Sequence, residues 1–202
     1  NFGVKEICTV LCVTDSMNLK NINQPVDQTI KNLKDIFRES HESNINSKCY
    51  VSVAFHCPYE GRVDASYVED VVGILLDYQV KEIVIADTIG AANPKEVTFL
   101  LSALTNTYKE AKFSCHFHDT NALGLANVYA SIEAGINKFD SCIGGLGGCP
   151  FAPNSSGNLA TEDLVGMLEM MNINTGVNLD KLLSVRDMVA NLTGLTLSLI
   201  HI

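Results

Sequence analysis

The segment His116-Phe117-His118-Asp119-Thr120 closes a strand-like run and places two imidazoles at positions i and i+2. Alternate residues of a strand project to one face, so the two rings stand together, spaced to share a metal ion. A single histidine in a strand is an ordinary core or surface residue. A pair at this spacing at a strand's end is as readily a ligand pair, and oxygen co-ligands would decide which divalent metal it holds. A second segment reads Gly144-Gly145-Leu146-Gly147-Gly148-Cys149-Pro150 and continues through Phe151-Ala152-Pro153 to Ser156-Gly157-Asn158. Its glycines give a mobile loop with accessible amides and backbone conformations closed to other residues. That pattern alone fits a surface connection, but a cysteine fixed between Gly148 and Pro150 is less easily explained so. An exposed thiol near a cation can ionise and exchange protons. Asn158 precedes a helical pattern starting near Leu159 or Ala160, where it is either a helix cap or, through its amide oxygen, a metal donor. Ala86-Asp87-Thr88-Ile89-Gly90 ends another strand with a carboxylate that is either a cap or turn residue or a member of the same site. Cys57-Pro58-Tyr59-Glu60-Gly61 reads as a plain turn.

The elements that must position these groups alternate along the chain. Strand-like runs lie at Lys5–Val13, Lys48–Phe55, Lys81–Asp87, Lys112–His118 and Lys138–Ile143, several of them apolar at successive positions, as strands buried on both faces are. Between them come helical patterns at about Val26–Ser43, Ala65–Tyr78, Pro94–Tyr108 and Ala122–Ala134. In the second, Val68, Val71, Val72, Leu75 and Leu76 fall on one stripe. Pro25 and Pro94 suit a first helical turn, Asn23 and Asn93 are candidate caps, and Gly135 suits a helix end. Strand, loop and helix repeating without a break predict right-handed crossovers and a parallel sheet. A doubly wound sheet would usually carry a glycine-rich turn after its first strand, whereas Thr14-Asp15-Ser16-Met17 follows Val13. Polar residues instead collect at the C-terminal ends of many strands, as in a βα barrel.

At 202 residues the chain suffices for one core, and a composition of 47% hydrophobic and 18% charged residues is that of a globular domain. No apolar run reaches the ~18 residues of a membrane span. A net charge of −9 and the lack of a basic cluster argue against a nucleic-acid surface. Cys8, Cys12, Cys49, Cys57, Cys115, Cys142 and Cys149 are odd in number, irregularly spaced and largely set in apolar strands, which predicts reduced thiols. A complete eight-stranded barrel takes about 250 residues. The expectation is therefore a partial TIM barrel over 1–196, with strands four to eight present and the first three missing from the N-terminus. Residues 197–202, Leu-Ser-Leu-Ile-His-Ile, match the translation of a common transposon-derived sequencing adapter. They are expected to be a non-native tail, with no role for His201.

The stretch Gly145–Val165, GLGGCPFAPNSSGNLATEDLV, resembles the signature loop of hydroxymethylglutaryl-CoA lyases. HFHDT, ADTIG, CPYEG, KNIN (Lys20–Asn23) and TGVNLDKLL (Thr175–Leu183) occur in matching order, so the resemblance runs to about residue 190. The HxHD element is shared with related synthases and aldolases, while the Gly-Cys-Pro loop is more specific. The resemblance implies His116, His118 and Asn158 as ligands of Mg2+ or Mn2+, Cys149 as the catalytic thiol and Asp87 as an active-site carboxylate, with His116 a second candidate for proton transfer. It implies cleavage of 3-hydroxy-3-methylglutaryl-CoA to acetyl-CoA and acetoacetate, with a fragment inactive alone. The alternatives are an isopropylmalate- or homocitrate-synthase-like condensing enzyme, or a lyase for a longer 3-hydroxyglutaryl-CoA. An acyl-CoA partner, no nucleic acid, no membrane, a possible homodimer, and a cytoplasmic place (mitochondrial matrix in a eukaryote) are the remaining expectations. The family's Arg-Asp pair and strand-borne glutamate have no counterpart here. Asn121-Ala122-Leu123-Gly124 stands where many lyases have Tyr-Gly-Gln-Ala, and His56 stands where glycine is common.

Overall fold

The computed structural model describes residues 3–151 and 157–194. The expected tail over 197–202 lies outside the described residues. The chain runs β1 (Glu6–Cys12), α1 (Asp15–Ile22), α2 (Val26–Glu42), β2 (Asn46–Ser52), β3 (His56–Cys57), β4 (Gly61–Arg62), α3 (Ala65–Asp77) and β5 (Glu82–Asp87). It continues through α4 (Pro94–Thr107), β6 (Phe113–Phe117), α5 (Gly124–Glu133), β7 (Phe139–Asp140), a 3-10 turn (Ile143–Gly145), α6 (Thr161–Met170) and α7 (Leu179–Thr193). Five strands form one parallel sheet in the order β1-β2-β5-β6-β7, and β3 with β4 makes a separate antiparallel pair.

Because strand residues alternate, the register splits the sheet into two faces. Leu11, Cys49, Val51, Ile83, Ile85, Cys115 and Phe117 join Leu33, Phe37, Val72, Leu75, Leu101 and Leu104 of the helices in one core. The other face carries Cys8, Lys48, Glu82, Tyr50, Ser114, His116 and Asp140 in register across the strands. Val84 and Ala86 are buried on that face yet stand outside the apolar cluster. On it Lys48 lies 3.3 Å and Lys138 2.6 Å from the Glu82 carboxylate, which also accepts from Ser114 Oγ at 2.8 Å.

The expectation of an N-terminally truncated barrel lacking three strands is corrected. The strand that opens the chain is present, folded and paired with β2 at every position from Glu6↔Asn46 to Cys12↔Ser52, and the described residues contain seven strands. The lack of a helix or cap between residues 1 and 4 is no sign of a loss there. β1 is held instead by its parallel pairing with β2. The parallel sheet with helices against it remains consistent with the barrel architecture.

Local chemistry explains the smaller differences. The pattern from Lys138 to Ile143 yields only Phe139–Asp140, because Cys142 instead bridges Ala160. The presumed turn at Cys57–Gly61 is the bend of the β3–β4 hairpin. Asn23 caps the C-terminus of α1 in the left-handed conformation at φ 60°, whereas Asn93 forms a capping box with Glu96 at the start of α4.

Candidate active site

β6 aims Phe113, Cys115 and Phe117 at the helices, so Ser114, His116 and His118 share the opposite, polar side. The His116 and His118 rings lie 5.3 Å apart between centroids, and the His118 backbone forms an isolated antiparallel bridge with that of Asn158. The Asn158 amide nitrogen donates to the Leu146 carbonyl at 2.8 Å. An asparagine held through its nitrogen offers its oxygen as the remaining donor atom. The two expected imidazoles and the expected amide thus converge. His116 and Asn158 also line an open depression of about 600 Å³ with Tyr50, Asp140, Ser141 and Cys142.

Asp87 is placed differently. Its register partner is Phe117, and its carboxylate accepts from the amides of Ala91 at 3.1 Å and Ala92 at 2.9 Å. Burial pushes the Asp87 carboxyl up, and the amides of Ala92, Ala91 and Gly90 with the nearby His56 work against that shift. The Asp87 backbone carbonyl accepts from the His118 amide at 3.3 Å, which ties the ends of β5 and β6 together.

Cys149 is half-buried against the core and lies near Cys12. Burial raises the Cys12 thiol to about 11; the Asn21 amide opposes this, while the neighbouring Cys149 and Cys57 add to it. Thr14 Oγ1 donates to Cys57 Sγ at 3.1 Å, so the other thiols there are held by structural contacts.

The loop that carries Cys149 is anchored by groups the sequence reading passed over. Glu162 is fully buried at the start of α6 and accepts from the Gly144 amide through both oxygens at 3.0 Å. Gly157 packs so closely that an added Cβ would lie 1.9 Å from the Gly145 carbonyl oxygen, so only glycine fits there. From the hairpin, Tyr59 Oη donates to the Phe151 carbonyl. A carboxylate followed by an aspartate in a helix's first turn resembles any dipole-favoured start, and nothing local singles out Glu162.

Asp140 was also missed. One register step from His116, its Oδ2 lies 3.5 Å from His116 Nδ1 and accepts from Tyr50 Oη at 2.6 Å. Burial alone would raise the Asp140 carboxyl; His116 and Tyr50 outweigh it and hold it below the ordinary range, with help from Lys48. Burial and the adjacent Asp140 push the Tyr50 phenol up, so it remains a donor.

No group of three or more His, Cys, Asp or Glu side chains able to hold a metal occurs among the described residues. A metal held at this place would draw on the asparagine oxygen beside the two imidazoles. The donor set fits on that basis: two imidazoles and one amide oxygen leave positions in an octahedral shell for substrate or water.

The sequence profile of the HMGL-like family matches residues 2–189. Hydroxymethylglutaryl-CoA lyase YngG of Bacillus subtilis is 42% identical over 182 residues, covering 90% of this chain and 61% of that protein. The mitochondrial hydroxymethylglutaryl-CoA lyase of Homo sapiens is 39% identical over 181 residues, covering 90% of this chain and 56% of that protein. Among solved structures, an HMG-CoA lyase from Acinetobacter baumannii in complex with coenzyme A and 3-methylmalate superposes with a TM-score of 0.91 at 35% identity, over 96% of this chain and 63% of that one. The chain thus spans between half and two thirds of the length of these relatives.

Proposed function

The chain belongs to the HMGL-like family, and from that premise we propose that it carries the active site of a lyase that cleaves 3-hydroxy-3-methylglutaryl-CoA to acetyl-CoA and acetoacetate. The observation that carries this reading is the convergence of His116, His118 and Asn158 beside the glycine loop of Cys149. The relatives named as hydroxymethylglutaryl-CoA lyases, one of them bound to coenzyme A, support the acyl-CoA substrate.

His116, His118 and Asn158 would hold a divalent ion, Mg2+ or Mn2+. When bound, that ion supplies Lewis acidity, which makes the tertiary hydroxyl of the substrate easier to deprotonate. A ring nitrogen that gives its lone pair to a metal cannot accept a proton at the same time, so ligation is the role assigned to His116. Asp87 acts through the loop after β5, whose amides at Ala91 and Ala92 it pins. As the carbon–carbon bond breaks, the departing thioester carries carbanion character at its α-carbon. The Cys149 thiol donates a proton to that carbon, completing acetyl-CoA, and the proton given up by the hydroxyl passes to solvent, from which the thiolate is reprotonated. Glu162, through the Gly144 amide, fixes one end of the loop that brings the thiol in.

Acetoacetate release from the purified protein supplied with Mn2+ tests the reaction. Cys149→Ser is expected to lower turnover by about 10²–10⁴-fold with metal affinity retained, because a hydroxyl is a far weaker acid than a thiol. Metal binding without any turnover of the thioester would reject the lyase reading, and condensation of an acyl-CoA with an oxo-acid would replace it with the synthase one.

A further inference from the structure

We infer that Asp140 is a positioning residue that fixes His116 in the tautomer protonated at Nδ1 and turns its Nε2 lone pair toward the metal site. The inference rests on the metal-site reading only for what that lone pair does; the tautomer itself stands on the geometry. His116 Nδ1 is buried and has no hydrogen-bond partner of ordinary length. The carboxylate oxygen across from it is Asp140 Oδ2, at 3.5 Å on the neighbouring strand. A bare Nδ1 lone pair buried against that oxygen would be repelled and unsatisfied, whereas an N–H there points at an anion. The two ring nitrogens lie on opposite edges, so a proton on Nδ1 leaves Nε2 as the free base on the far side.

Asp140 is itself held. Tyr50 Oη donates to the same Oδ2 at 2.6 Å, and the Tyr50 ring meets the His116 ring edge-on with centroids 6.0 Å apart. β2 and β7 thereby brace the imidazole that β6 carries. A carboxylate behind a ligating histidine raises the basicity of the ligand nitrogen and restricts ring rotation. At 3.5 Å the contact is longer than an ordinary hydrogen bond.

Nitrogen NMR of the histidine-labelled protein at alkaline pH, where the rings are neutral, reads the tautomer with no metal present. The expected result is an Nδ1–H signature for His116, lost in Asp140→Ala and largely kept in Asp140→Asn, whose amide oxygen still accepts. Mn2+ affinity should fall about 10–100-fold in Asp140→Ala and less in Asp140→Asn. Thermal melting of both variants separates a folding defect from loss of orientation, and the asparagine variant keeps the test open should the alanine variant not fold. An Nε2–H signature in the unsubstituted protein, or an unchanged tautomer and Mn2+ affinity in Asp140→Ala, would overturn the inference. A protein that binds no Mn2+ but loses the Nδ1–H signature in Asp140→Ala would refute the metal site and leave the tautomer assignment standing.

Discussion

The two faces of the parallel sheet are built by the same strands and serve opposite ends. Toward the helices, Leu11, Val51, Ile85 and Phe117 are at most 1% exposed and pack into one apolar cluster. Toward the other side, Val10 stays 39% exposed, Lys48 pairs with Glu82, and Tyr50 donates to Asp140, whose carboxylate lies 3.5 Å from His116. Neighbours in sequence therefore belong to different physics. Phe117 contributes to stability through the water it excludes, and His116 contributes little to stability but carries donor atoms. The difference teaches that the period-2 alternation of β6 separates what holds the fold from what performs the chemistry, with no residue asked to do both.

The sharpest way to break this comparison is to truncate the two neighbours in turn. Phe117→Ala should cost about 3–5 kcal/mol of stability, seen as a large fall in the denaturant midpoint, because a fully packed aromatic leaves a cavity. His116→Ala should leave that midpoint within about 1 kcal/mol of the original while metal affinity and turnover fall together. Equal losses of stability in the two variants would mean that the polar face is structural after all.

A smaller effect is expected at the N-terminus of α6. Asp163 is raised to about 6, by burial first and then by Glu162 and Asp119, with Arg186 opposing. A carboxyl whose folded value exceeds its unfolded value binds more protons when folded, so stability declines as pH rises from about 4 to about 6 and stays lower above. Asp163→Asn should therefore stabilise the protein at pH 7, by no more than about 1 kcal/mol because the group is partly solvated, and do nothing below pH 4. Melting curves at the two pH values check both the sign and the window. A gain that persisted at low pH would place its origin in packing.

The smallest expected effect concerns the turn between β6 and α5. Ala122 adopts φ 54°, a left-handed conformation that costs a residue with a Cβ about 1 kcal/mol, and it occupies the place where many lyases have glycine. Two positions on, Gly124 lies where a Cβ would meet Asp119 Oδ1 at 2.8 Å and Leu159 at 3.1 Å. Ala122→Gly should raise the melting midpoint slightly, by about 0.5–1 kcal/mol, and Gly124→Ala should lower it. The reverse pair of signs would show that this turn relaxes around its side chains.

Much of the fold was legible in advance because it is written in local periodicity. Four of the five expected runs contain an observed strand and the other, Lys48–Phe55, overlaps β2 two residues late, while α2, α3, α4 and α5 agree with their patterns to within two residues at either end. α1 was missed because it is eight residues long and its first turn lacks a side-chain cap. Of the expected site, the proximity of His116 and His118 followed from spacing alone. Asp87 is different: a strand-end carboxylate can face the mouth or turn back to cap its own loop, and only the amides of Ala91 and Ala92 show which.

What the sequence by itself determined is whatever depends on neighbours a few residues away: strand and helix order, the shared face of His116 and His118, and the need for glycine in the loop around Cys149. Tertiary structure alone decided the rest. Tyr50 and Asp140 are 90 residues apart and meet because β2 and β7 stand on either side of β5 and β6 in one sheet. Glu162 reaches Gly144 across 18 residues because the start of α6 folds back beneath the loop. Neither contact leaves a trace in composition or period, since an aspartate, a tyrosine or a glutamate is compatible with many environments until a partner strand or loop selects one.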